Sequence, residues 1–88
     1  MATAPALNDA FETFVGSGKK DVKGREIGFT VGLRDNGVDF YAWVQASRRV
    51  GDDFNDFGVQ QRSKHFTSQA AATNWAYRTA RERIAKLA

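Results

Sequence analysis

Three places in this chain of 88 residues hold side chains that could do chemistry. His65 is the single histidine. A general base has to stand within hydrogen-bond reach of the proton it takes. A lone histidine beside Arg62 and Lys64 reads instead as a surface or helix-entry residue. Gly16-Ser17-Gly18-Lys19-Lys20 is similar in composition to a phosphate loop, but it lacks the earlier glycine at the required spacing and the hydroxyl after lysine. Asp52-Asp53-Phe54-Asn55-Asp56 has the oxygen donors of a calcium loop. Counted from Asp53, however, Phe57 stands where a ligand is needed and Lys64 where the closing glutamate belongs. There are no cysteines, which excludes disulfides, thiolate catalysis and Cys-based zinc sites. No serine sits in a nucleophile elbow. The expectation is a non-enzymatic protein with no metal, no cofactor and no small-molecule substrate.

Binding is better supported than catalysis. Residues 58–88 hold six basic groups against Glu82 alone, whereas residues 1–57 hold seven basic and nine acidic groups. Such an asymmetry suits an anionic partner. It suits a solvated helix face equally well. Tyr41, Trp43 and Gln45 alternate along one stretch with Thr30 across from Trp43, and Gln60, Arg62 and Lys64 join them if a third strand continues in register. Aromatic rings stack on bases while arginine and lysine neutralise phosphates. Arg78 and Arg81, with Lys86, form a second basic face on a helix.

These residues have to be positioned by secondary structure. Ile27, Phe29, Val31 and Leu33 alternate with small or polar residues, and Val38, Phe40, Ala42, Val44 and Ala46 do the same. Asn36-Gly37 between them is the preferred centre of a two-residue turn. That turn pairs Leu33 with Phe40, Val31 with Ala42, Phe29 with Val44 and Ile27 with Ala46. On the opposite face it sets Arg34 against Asp39, Gly32 against Tyr41, Thr30 against Trp43 and Gly28 against Gln45. Residues 48–56 are expected as a polar loop and Phe57 to about Lys64 as a third strand. Ser68 is a good N-cap for a helix running to about Leu87, with an apolar stripe of Thr73, Ala76, Tyr77, Ala80, Ile84 and Leu87. Trp75 lies off that stripe and calls for a second contact.

Thr3-Ala4-Pro5 starts like a helix. Leu7, Ala10, Phe11, Phe14 and Val15 then fall on a helical stripe that ends at Gly16. A short helix over residues 4–15 is therefore predicted, with residues 1–3 disordered and 16–24 a flexible basic connector. The fold class is α+β in the order α-β-β-β-α: a three-stranded antiparallel sheet with the long C-terminal helix on the Ile27/Phe29/Val31 face, all in one domain.

That order is similar to double-stranded-RNA-binding domains, although their glycine-rich third strand leading into Ser-Lys-Lys is absent. Phe66-Thr67-Ser68-Gln69-Ala70-Ala71-Ala72, closing a sheet and opening a helix, resembles a pattern of two DNA-binding families. One is the arm-binding domain of phage integrases, which uses its sheet face. The other is the WGR domain, which Arg49-Val50-Gly51 also resembles without the Trp-Gly-Arg signature itself. These likenesses cover roughly residues 38–80 and assign no family.

The expected function is a small binding module whose sheet face takes DNA or RNA. The alternative is a protein-interaction or homodimer module that buries the same aromatic residues, with the N-terminal helix as a further candidate cover. Met1 to Leu7 lacks the basic start and apolar run of a signal peptide. No apolar run in the chain is long enough for a bilayer, so a cytoplasmic domain without membrane contact is expected.

Overall fold

The computed structural model describes residues 9–19, 21 and 23–87. The fold is α+β. Strands β1 (Asp9–Lys19), β2 (Glu26–Asp35), β3 (Phe40–Val50), β4 (Asp53–Asp56) and β5 (Gln61–Arg62) precede a single described helix, α1 (Gln69–Ala85). All pairings are antiparallel, in the order β1-β2-β3-β4, with β5 adding to β3 beyond β4. Among the described residues the sheet therefore has five strands rather than three, and in place of the α-β-β-β-α order they form five strands and a helix.

The largest correction lies at the N-terminal side. The part of the expected helix that falls within the described residues is β1, paired along β2 from Asp9 opposite Arg34 to Lys19 opposite Glu26. The remainder of that helix, and residues 1–3, lie outside the described residues. Two register shifts, between Asp9 and Phe11 and between Phe14 and Gly16, explain the misreading. A bulge inserts a residue and resets the two-residue alternation. The apolar positions 10, 11, 14 and 15 consequently fall at helical spacing. Phe11, Thr13, Phe14 and Val15 are strand formers nonetheless. Residues 16–19, expected in the connector, complete β1. A Cβ on Gly18 would stand 3.2 Å from Leu87 Cβ, so this end of β1 lies close under the end of α1.

The central hairpin forms, but with a longer loop. Asp35 pairs with Phe40, Leu33 with Ala42, Val31 with Val44 and Phe29 with Ala46. The partner strand has slid by two residues from the expected register. An even slide preserves which face each side chain occupies. The loop Asn36–Asp39 is held by side chains. Asn36 Oδ1 accepts from Val38 N at 2.9 Å and Asp39 N at 2.8 Å, and Asp35 Oδ1 accepts from Gly37 N at 2.8 Å. Asparagine thus caps the turn from its side chain and does not occupy the centre of a two-residue turn.

The expected polar loop over 48–56 is a second hairpin. Val50 pairs with Asp53 around Gly51-Asp52, and Gly51 has φ +66°, which suits glycine. The third strand expected over Phe57–Lys64 is broken. Phe57 N donates to Ala46 O at 3.0 Å and Ser63 N to Ala42 O at 2.9 Å. Between them the chain leaves the sheet at Gly58 and Val59 and rejoins it only for Gln61–Arg62.

Helix α1 starts where expected, with Ser68 Oγ accepting from Ala71 N at 3.2 Å. It packs on the predicted face of the sheet. Ala72, Ala76 and Ala80 are fully buried against Phe29, Val31, Leu33 and Val44. Their spacing puts three small side chains on one line, so the helix backbone lies close to the sheet. Trp75, Tyr77, Ile84 and Leu87 are partly buried around this centre. Burial of Val31, Leu33 and Val44 stabilises the fold by about 1.5–3 kcal/mol each.

On the opposite face Trp43, 5 % exposed, lies flat on Gly32, directly across the ladder. A Cβ at Gly32 would overlap the indole at Cζ2 and Cε2. Gly32→Ala is therefore expected to destabilise the protein by about 1–3 kcal/mol in chemical denaturation. The same substitution in a Trp43→Ala background should cost much less, because the obstacle has gone.

Candidate functional site

The face of the sheet away from α1 carries the sequence-predicted residues. Strand alternation puts Thr30 and Arg34 of β2 there, with Tyr41, Trp43, Gln45 and Arg49 of β3 and Arg62 of β5. β1 adds Glu12 and Phe14, and β4 adds Phe54, opposite Arg49.

Trp43 is a foundation of this face and offers no open ring. Its Nε1 is buried with no hydrogen-bond partner among the described residues. Gln45 is engaged as well: its Nε2 donates to Ala46 O and Phe57 O, both at 3.0 Å, and so ties the 57–60 arch to β3. Between them lies a cleft of about 200 Å3, whose lining includes the carboxylates of Glu12 and Asp56, the guanidinium of Arg34, and Thr30, Trp43, Gln45 and Gln60.

An arginine–aromatic cluster stands at each end of this cleft. At one end Arg62 Cζ is 5.7 Å from the Tyr41 ring centroid, and Arg62 Nε donates to Gln60 Oε1 at 3.0 Å. His65 lies 5.3 Å from the same ring, with its Nδ1 2.7 Å from Asp39 Oδ1. At the other end Arg49 Cζ is 4.9 Å from the Phe54 ring, and its Nε donates to Glu26 Oε1 at 2.6 Å. Phe54 in turn packs on Phe14 at 5.2 Å, and Phe14 is 49 % exposed. Tyr41 and Arg49 are eight positions apart on β3, about 27 Å along an extended strand.

The remaining predicted residues are not gathered here. β5 ends at Arg62, so the register that would have carried Lys64 onto this face is lost; Lys64 Nζ lies 5.3 Å from the Phe66 ring. Phe66 packs on the helix-side core. Arg78 and Arg81 are exposed on α1, on the other side of the sheet, and Arg81 rests on Tyr77 at 5.3 Å. Sequence reasoning missed Phe14, Arg49 and Phe54. Phe14 had been placed on a helix, and the other two in a loop. The Gly51-Asp52 pair between Val50 and Asp53 is the hairpin signal that could have found them.

No group of three or more metal-binding side chains occurs among the described residues. No helix among them is long and apolar enough to cross a membrane.

Asp39 titrates below the ordinary aspartate range. The hydrogen bond from His65 is the main cause; partial desolvation opposes it, and the Asn36 amide assists at 2.9 Å. A carboxyl lowered in the folded state adds stability above its unfolded pKa and loses it as pH falls through its folded pKa. In a carboxyl NMR titration Asp39 should therefore show a midpoint below that of an unperturbed aspartate, and His65→Ala should raise it.

Comparison with known proteins yields no match among protein families, curated proteins or solved structures, so the functional reading rests on the geometry of this face.

Proposed function

We propose that this chain is a non-enzymatic binding module that takes single-stranded nucleic acid along the face of the sheet away from α1. The observation that carries the reading is the pair of arginine–aromatic clusters, Arg62/Tyr41 and Arg49/Phe54/Phe14, at the two ends of the sheet face away from α1. A ring gives a base a surface to stack on, and a guanidinium beside it meets the phosphate. The spacing suits a strand of a few nucleotides. In this reading Trp43 supports the platform from below, while Thr30, Gln45 and Gln60 line the cleft between the clusters. Arg78, Arg81 and Lys64 contribute only to the surrounding positive field.

A second reading is a protein interface, formed with another copy or a different partner. The carboxylates of Glu12 and Asp56 beside the cleft favour it, because they repel phosphate. Both readings use the same exposed Phe14.

Salt separates them. Phosphate binding weakens steeply as salt rises, while an apolar contact persists. Fluorescence anisotropy with labelled single- and double-stranded DNA and RNA should give salt-dependent binding that favours single strands. Arg49→Gln, Arg62→Gln and Phe54→Ala should each weaken it by about fivefold or more, and the pair Arg78→Gln/Arg81→Gln by about twofold at most. A salt-resistant dimer in sedimentation, with no nucleic-acid binding, would replace this reading with the second.

A further inference from the structure

A second cavity lies on the helix side of the sheet, where the end of α1 meets β2 and β3. It holds about 380 Å3, and its apolar lining is Ile27, Phe29, Ala46, Phe57 and Leu87. Three charged residues, Asp21, Arg48 and Arg83, complete it. Apolar walls with a few convergent polar groups are the composition of a small-molecule site, and this volume lies in the usual range.

Both arginines are held in place. Arg48 Cζ stands 4.5 Å from the Phe57 ring centroid and Arg83 Cζ 4.8 Å from that of Phe29. Arg83 Nη1 also donates to Gln61 Oε1 at 3.2 Å. Stacked in this way, each guanidinium keeps a planar fork of donors at its edge. Arg48 Nε is buried with no hydrogen-bond partner among the described residues. It stands 3.4 Å from Asp21 Oδ2, which already accepts from Arg25 Nη2 at 2.9 Å, while Asp21 Oδ1 accepts from Lys23 N at 2.7 Å. One carboxylate thus serves two arginines, and Arg83 adds a third positive charge. A buried donor left unmet is costly, and the acceptor that fits two guanidiniums is an anionic oxygen. The end of a helix opposes an anion, but Arg83 in the last turn offsets that field.

We propose that this cavity binds a small organic carboxylate: an aryl or short alkyl acid whose body rests on the partly buried Phe57 and Leu87 and whose carboxylate is received by Arg48 and Arg83. None of these residues belongs to the face proposed for nucleic acid, so either reading can fail without the other. Asp21 has a distinct part here, since it competes with the ligand for Arg48.

The test is a titration of the full chain with phenylpropionate and, separately, with its uncharged amide, followed by nitrogen-edited NMR spectra. The acid should give saturable shifts at Phe29, Ala46, Phe57 and Leu87, and the amide should bind about tenfold more weakly or worse. Arg48→Gln should weaken the acid by a similar factor. Asp21→Asn removes the competing charge, keeps an acceptor for Lys23 N, and should tighten binding. Equal binding of acid and amide, shifts confined to the outer sheet face, or no saturable shift at about 10 mM acid would each overturn the proposal. The comparison of acid with amide uses the unaltered protein, so it stands even if a substituted chain does not fold.

Discussion

A sheet has two faces, and α1 covers one of them. The contact that makes this possible is the line of Ala72, Ala76 and Ala80 on Phe29, Val31, Leu33 and Val44. Small side chains on the helix and large ones on the strands let the two layers approach closely, and dispersion gained in such packing depends on that approach. Among the described residues, the other face is closed by side chains of the sheet itself. Trp43 folded onto Gly32 does so at the centre, and Phe14 over Gly28 does so nearer the edge. Aromatic cover of strand glycines restores the apolar contact that the missing side chains would have made.

The same economy governs the charges. Arg48, Arg49, Arg62, Arg81 and Arg83 each lie against an aromatic ring, with the guanidinium carbon 4.5–5.7 Å from its centroid. A contact of this kind stabilises an exposed site by about 0.5–1 kcal/mol. Its larger consequence is positional. A long side chain that would otherwise sample many rotamers is restricted before any partner arrives, which lowers the entropy lost on binding. Two of these pairs mark the ends of the face away from α1 and two border the helix-side cavity. Both candidate sites are thus built from one device on opposite sides of one sheet.

Much of the framework was legible in the residue order. Alternation located β2 and the body of β3, Ser68 located the start of α1, and the faces of the central hairpin were assigned as they occur. The parts that were not legible share a cause. Bulges in β1 break the alternation by which a strand is recognised, so Phe14 was assigned to a helix. The Asn36 side chain closes a four-residue loop that backbone preference alone would have made shorter. The end of β5 at Arg62 broke off the register that would have carried Lys64 onto the sheet. In each case the deciding interaction joins residues whose proximity is itself a product of folding.

The sequence by itself determined which residues are apolar and with what local period, and hence that an alternating hairpin and an alanine-rich helix would share a core. It also determined the absence of thiol chemistry and the basic bias of residues 58–88. Only the tertiary structure decided which arginine meets which ring, that Trp43 is buried and Phe14 half exposed, and that Arg78 and Arg81 lie on the side away from Tyr41. Local preference acts over a few residues, whereas these outcomes depend on strand register, where a shift of two positions changes every partner while preserving every face.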